Sequence, residues 1–247
     1  MDKEDICSNR DSDFLIVAHQ IQSPLSAVKW TLSMLANGDV GELTPDQKSL
    51  VEKAFASNDR AIHLIEEVLS ANRLESDRVE LSLSSVPILD VVHNSLLELS
   101  PVAKDKHIKI DMTGIRGENP LVLIDREKIR NAFENILDNA IKYTMPGGVV
   151  TIRVTKEESD VLVSVEDTGI GISETDEKFL FNKFYRGETA RKAGISGTGL
   201  GLFIARGIIE KHGGKMWFED KRRDLHVDTA GVRFSFTIPL KDGEKML

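Results

Sequence analysis

The chain has 247 residues, 40% apolar and 29% charged, which is room for one large or two modest domains with a buried core. Its net charge of −8 argues against a nucleic-acid binder, because neutralising phosphates needs a basic surface. Its single cysteine, Cys7, excludes an intrachain disulfide, and with no signal-peptide pattern and no apolar run of 18 residues the expectation is a cytoplasmic protein without a membrane segment. The soluble part of a larger or membrane-bound protein would read the same way.

Residues 1–13 are polar and aperiodic, and read as a tail or truncated linker. From Phe14 the pattern turns helical, with Val17, Ile21, Leu25, Val28, Leu32 and Leu35 at steps of three and four. Asn37-Gly38-Asp39 ends that helix. T-P-D-Q at 44–47 then offers Thr44 as N-cap, Pro45 at the first helical position and Gln47 to close a capping box. The second helix has Leu50, Ala54, Ala61, Ile65 and Val68 and ends near Leu74. Residues 14–74 are therefore an antiparallel helical hairpin. Two helices cannot bury a seam of that length alone, so the expectation is a homodimer whose paired hairpins form a four-helix bundle.

Residues 75–79 form a short polar joint, and the pattern changes after it. Strands are expected at 79–83, 108–112, 121–125, 149–155, 161–167, 215–219 and 232–238. Helices are expected at 87–99, at 126–143 and from about Thr198 to His212. Residues 80–241 thus read as a mixed sheet covered on one face by helices, with 242–247 a C-terminal tail. The whole is a two-domain α+β protein.

Three pieces of the second domain suit a nucleotide. D-T-G-I-G-I at 167–172 ends a buried strand; Asp167 can accept a hydrogen bond from an adenine amine, Gly169 and Gly171 allow a tight turn, and Ile172 follows them. G-T-G-L-G-L (Gly197, Thr198, Gly199, Leu200, Gly201, Leu202) opens a helix, where backbone N–H groups attract anions. Asn135, Asn139, Lys142 and Tyr143 lie at helical spacings between them; Asn139 offers Mg²⁺ a hard amide oxygen and Lys142 offers charge to phosphates. Each piece alone is common. Their fixed order is specific.

Together they resemble the histidine kinase branch of the ATPases that include gyrase and Hsp90. The Asn helix matches the N box, 167–171 and 197–202 the two glycine boxes, and F-L-F-N-K-F-Y-R at 179–186 the F box. The resemblance implies an α/β sandwich that binds MgATP, with Tyr185 and Arg186 at the nucleotide and residues 187–196, including Arg191, Lys192 and Gly194, as a lid. Hydrolytic relatives place a Glu base four residues before the metal-binding Asn. Here that position is Asn135, which cannot take a proton from water. Glu134 points about 100° away around the helix.

The resemblance extends to the hairpin. A-H-Q-I-Q-S-P-L at 18–25 is similar to the phosphoacceptor motif of the same kinases, and implies that His19 accepts the phosphoryl group. Pro24 leaves the Gln20 carbonyl without its usual donor and predicts a local bend. An exposed imidazole, with pKa about 6.5, is largely neutral and nucleophilic near pH 7. The family usually has an acidic residue after the histidine; this chain has Gln20, which can fix the ring tautomer but supplies no charge. Ser23, one turn on, matches a position that can orient a water for dephosphorylation. The implied partner is the receiver domain of a response regulator. The alternatives are a kinase-impaired binding module or phosphatase of the same fold, and a hydrolytic ATPase. The other five histidines (His63, His93, His107, His212 and His226) show no metal-ligand spacing, and His212 reads as a cation at a helix C-terminus.

Overall fold

The computed structural model describes residues 3–115, 119–220 and 231–240, with side chains throughout except at 3–17, 19, 114 and 115. His226 and the tail at 242–247 lie outside the described residues. The chain divides into two compact units, Met1–Arg78 and Val79–Leu247.

The first unit is the hairpin of α1 (Lys3–Asn37) and α2 (Pro45–Glu75). Helix α1 begins at Lys3 rather than near Phe14, so the segment read as an aperiodic polar tail has helical backbone. Pro24 lies inside it, and helix is assigned on both sides. Gly38 (φ +81°) and Gly41 (φ +119°) shape the turn, and the capping box forms as expected: Gln47 N donates to Thr44 Oγ1 (3.3 Å) and Thr44 N to Gln47 Oε1 (2.9 Å). Between the helices, buried Asn58 donates Nδ2–H to the Leu25 carbonyl (2.9 Å), and Ile62, Leu69 and Ala71 are buried. Lys29 pairs with Asp59 at 2.5 Å.

The second unit holds β1 (Ser84–Pro87), α3 (Ile88–Asp105), β2 (Lys109–Ile115), β3 (Leu121–Ile124), α4 (Arg126–Tyr143), β4 (Val149–Lys156), β5 (Asp160–Asp167), α5 (Glu188–Lys192), α6 (Gly201–Lys211), β6 (Met216–Asp220) and β7 (Val232–Pro239). The main sheet has the order β2-β4-β5-β7-β6, with β2 parallel to β4 and the other pairs antiparallel. A separate two-stranded ribbon pairs β1 with β3. Helix α4 packs on both α3 and α6, and all three pack on the sheet. Alternation sends Val161, Val163, Val165 and Asp167 of β5 inward together, beside Val150, Ile152 and Val154 of β4 and Phe234 and Phe236 of β7. The core between sheet and helices is filled by Ile129, Phe133, Ile136, Leu137 and Ile141 of α4 and Ile204 and Ile209 of α6, all essentially buried.

Several boundaries differ from the sequence reading, for identifiable reasons. The strand expected at 79–83 forms instead at 84–87, because Ser84 pairs with Ile124 and Pro87 with Leu121; Ser82 N donates to Asp125 Oδ2 (3.0 Å) in place of a ladder bond. Helix α3 continues past 99 through Pro101 to Asp105. The Leu97 carbonyl that Pro101 leaves without its helical donor accepts from Ser100 Oγ (3.3 Å). Helix α6 starts at Gly201, not Thr198.

Candidate active site

The nucleotide pieces converge on the inner layer of the second unit. Helix α4 is capped by Asp125, which accepts from Lys128 N (3.2 Å), and it turns its apolar face to the sheet. Its polar face carries Asn131, Asn135, Asn139 and Lys142. Asn135 Nδ2 donates to Asn131 Oδ1 (3.1 Å). Helix α6 opens directly against this face: a Cβ added to Gly201 would lie 3.1 Å from Asn135 Oδ1. Any side chain there would press on the Asn helix, so Gly201 sets how closely the glycine turn approaches it. Asn139 is half-buried, and its side chain makes no hydrogen bond among the described residues.

Asp167 ends β5 on the inward side and is only 5% exposed. Its Oδ1 accepts from Gly169 N (2.8 Å), and the Val232 N–H also donates to the carboxylate. Burial nevertheless dominates and raises its pKa to about 6. Gly169 sits where any side chain would overlap the Tyr143 carbonyl, which accepts from Ile170 N (3.3 Å). The turn thus lies against the end of the Asn helix. Gly171 has φ +71° and Ile172 is buried.

The turn at 197–202 is organised by Gly199, at φ +76°, where a Cβ would come within 2.6 Å of the Tyr185 carbonyl. Thr198 Oγ1 accepts from Leu200 N (3.2 Å), Leu200 is fully buried, and Leu202 is half-buried. Nothing lies within 4 Å of a Cβ at Gly197, so protein packing does not demand glycine there. The turn therefore has open space at Gly197, four residues before α6 begins.

Other side chains are placed differently from a simple phosphate contact. Lys142 is ion-paired with Asp138 one turn back on α4. Tyr143 is half-buried; burial raises its pKa, and Lys142, Arg186 and Asp138 all lie close enough to act on it. Arg186 donates to the Ile195 carbonyl, tying the F box to the lid segment. Tyr185 Oη donates to Asp176 Oδ1 (2.6 Å) instead of facing open space. The lid segment holds the short helix α5, where Lys192 pairs with Glu188 (2.8 Å).

Sequence reasoning missed Asp176. Burial opposes its charge, but the Tyr185 hydroxyl, Ser173 and the Glu188 N–H hold its pKa below the usual carboxylate value. A Cβ at Gly187 would meet its Oδ2 at 2.7 Å. One carboxylate therefore anchors both the F box and the start of α5. Gly231 was also missed: a side chain there would overlap the Asp167 backbone carbonyl. A glycine just before a strand was the available signal. His212 was read as a helix-end cation and is instead neutral, with Nδ1 2.7 Å from the Ile208 carbonyl and Nε2 accepting from Asp125 N (3.0 Å). Burial lowers its pKa.

Glu134 is turned to the far side of α4, where its Oε1 takes a hydrogen bond from Ser95 (3.1 Å) and lies 3.6 Å from Arg130. Burial raises its pKa. It is held away from the face that bears Asn135 and Asn139, and the carboxylate nearest that face, Asp138, is ion-paired with Lys142.

Comparison with known proteins agrees with this geometry. The His Kinase A phospho-acceptor model matches residues 14–77, and the model for histidine kinase-, DNA gyrase B- and Hsp90-like ATPases matches residues 124–242. The chain belongs to the histidine kinases. It is 29% identical over 233 residues to sensor histidine kinase WalK of Bacillus subtilis (strain 168), covering 93% of this chain and 36% of that protein. It is also 29% identical over 224 residues to the circadian input-output histidine kinase CikA of Synechococcus elongatus, covering 90% of this chain and 28% of that one. It thus spans about a third of the curated relatives it matches. Among solved structures, full-length ShkA in complex with AMPPNP superposes with a TM-score of 0.74 at 28% identity, over 92% of this chain and 45% of that one. The catalytic domain of histidine kinase ThkA matches at 30% identity with a TM-score of 0.54, covering 64% of this chain and 95% of that domain.

The residues present suit ATP. Asp167 offers a buried carboxylate that can accept a hydrogen bond, and the glycine turn leaves clear space at Gly197. For the metal, no cluster of three or more His, Cys, Asp or Glu side chains exists among the described residues. Asn139 offers one neutral oxygen, which fits a Mg²⁺ ion that arrives with most of its oxygen ligands supplied by phosphates and water.

Proposed function

We propose that this chain is the catalytic core of a sensor kinase: it binds MgATP, phosphorylates its own His19, and passes the phosphoryl group to an aspartate of a response-regulator receiver domain. The observation that supports this most is the Asn face of α4. Asn135 stands where a hydrolytic enzyme needs its base, and the neighbouring Glu134 is turned away and bonded to Ser95. ATP held there lacks the Glu base of the hydrolytic enzymes, and Asp138 on the same helix is paired with Lys142, so the γ-phosphoryl is kept for another nucleophile.

Asp167 accepts the adenine amine, and the N–H groups of 197–201 receive the phosphates. Asn139 would hold Mg²⁺, which neutralises phosphate charge when bound. Arg186, and Lys142 once released from Asp138, add positive charge. The His19 imidazole nitrogen attacks the γ-phosphorus by its own lone pair, the bond to the β-phosphate oxygen breaks, and ADP leaves with that electron pair. Gln20 orients the ring without adding charge. Ser23, exposed one turn further along α1, would orient a water that hydrolyses the regulator's phosphoaspartate, releasing phosphate and restoring the aspartate. The hairpin acts as a homodimer, in keeping with the phospho-acceptor model that it matches.

The test is incubation with γ-³²P ATP and Mg²⁺. Wild type should acquire acid-labile, base-stable label that His19→Ala lacks, and the label should move to a receiver domain. Release of free phosphate without labelled protein would replace this reading with a hydrolytic ATPase.

A further inference from the structure

Helix α6 is pinned to α4 at both ends. At its start Gly201 abuts Asn135; at its C-cap His212 meets Asp125, the N-cap of α4. The two helices therefore run antiparallel, and the His212 end fixes where the glycine turn sits on the Asn face.

The chemistry of the His212 ring is forced. A backbone N–H only donates, so the 3.0 Å contact from Asp125 N requires a lone pair on Nε2. The ring proton is then on Nδ1, donated to the Ile208 carbonyl at 2.7 Å. A second proton would have to sit on Nε2, facing the Asp125 N–H. The Asp125 carboxylate is already committed to Ser82 N, Lys128 N and the Lys128 ammonium at 3.2 Å. We infer that His212 is a positioning residue of the nucleotide site, a neutral latch between α6 and α4 that opens when its ring is protonated.

The ionisable groups facing the ring from α4 are Asp125, which favours its charge, and Lys128, which opposes it. On α6, Glu210 is tied to Arg206 (2.7 Å) and Lys211 adjoins the ring in sequence. Strand β7 presents Pro239 to the following Gly213. Burial outweighs these charges and keeps the ring's pKa below its ordinary 6.5. The sign follows: folding is favoured fully above pH 6.5, where both states are neutral, and is weakened as pH falls toward the folded pKa. Opening the latch removes the acceptor from the Asp125 N–H, loosens the cap of the Asn helix, and lets Gly201 drift from Asn135. The effect on ATP rests on the reading that nucleotide lies between these two helices.

Two measurements on the full chain test this. Side-chain ¹⁵N NMR of His212 should show the Nδ1–H neutral tautomer near pH 7 and a midpoint below about 6.5. Calorimetric titration with Mg²⁺ and AMPPNP should then compare wild type with His212→Gln, whose amide oxygen can accept from Asp125 N and gains no proton. Between about pH 7.5 and about pH 5.5, wild type should lose at least about threefold more affinity than His212→Gln. Asp167 also titrates in this range but contributes equally to both proteins. His212→Asn serves as a second neutral amide if thermal melting shows that the Gln variant misfolds. An Nε2–H tautomer, or a midpoint at or above 6.5, overturns the latch. Identical pH slopes in both proteins overturn its link to the site. Absence of AMPPNP binding to wild type at pH 7.5, with the expected tautomer present, overturns that link together with the nucleotide reading.

Discussion

Asp167 occupies a position in β5 that alternation assigns to an apolar residue, between Val165 and the turn, and this misfit has a measurable signature. Its folded pKa of about 6 lies above the reference 3.8. The folded state therefore holds a proton that the unfolded state releases between those values. The resulting destabilisation grows as pH rises from 3.8 to about 6, then stays constant at about 3 kcal/mol, from 1.36 kcal/mol per unit. On the proposal that Asp167 accepts the adenine amine, nucleotide affinity runs the other way, because that amine needs the ionised acceptor. The Kd for AMPPNP should be flat above pH 7 and rise by up to about tenfold per unit below pH 6. Asp167→Asn should raise the melting temperature of the free protein while weakening nucleotide binding; a variant that melts lower would refute the account. At His19 the residue-scale question is Gln20, which is exposed and neutral. Gln20→Glu should speed ³²P incorporation severalfold, by offering the imidazole N–H a charged acceptor as positive charge develops. An unchanged or slower rate would exclude that role for the neighbouring side chain.

Between residue and domain, the F box and lid act as one element because Asp176 holds both. Phe181 packs on Phe218 at 6.1 Å, under the Arg206 guanidinium, and Tyr185 reaches Asp176 at 2.6 Å. Phe184 between them adopts φ +60°, an uncommon conformation for a bulky residue, and its peptide lies against Gly199. Tyr185→Phe removes one anchor and leaves the ring in place. It should raise KM for ATP about threefold with little change in melting temperature. Asp176→Ala frees α5 as well and should raise it further; equal effects would mean that α5 is not held through Asp176. The anchor also marks where sequence reading stops. Helix α4 was legible to the residue because eighteen positions share one amphipathic period, and the β4–β5 hairpin because alternation runs through both strands. Strand β1 was placed five residues early, since V-E-L-S-L alternates as well as S-S-V-P does and only pairing with β3 selects between them. Asp176 with Tyr185, and His212 with Asp125, join distant residues through single hydrogen bonds and leave no period to find.

At the scale of the whole molecule, the hairpin leaves an apolar seam unfilled. Ile21, Leu25, Val28, Leu32 and Leu35 follow steps of four and three along α1, and Ile21 and Val28 are 46% and 45% exposed. Helix α2 adds Leu50 at 66% and Leu64 at 44%, whereas Ile62 and Leu69, which face α1, are buried. Apolar residues at such spacing that remain open to water within one hairpin suit a second copy, with two hairpins closing a four-helix bundle. The double substitution Ile21→Glu and Val28→Glu places two like charges on each copy of the seam. Sedimentation equilibrium should show wild type as a dimer at micromolar concentration and the variant as a monomer. AMPPNP affinity should stay within about twofold, because these residues lie outside the nucleotide-binding unit. The labelling rate at His19 then separates two geometries. If each subunit phosphorylates its partner, the variant loses label in proportion to its loss of dimer. If each phosphorylates itself, the monomer labels at a rate independent of protein concentration. A wild-type chain that sediments as a monomer would refute the bundle and require the exposed seam to be covered by something else.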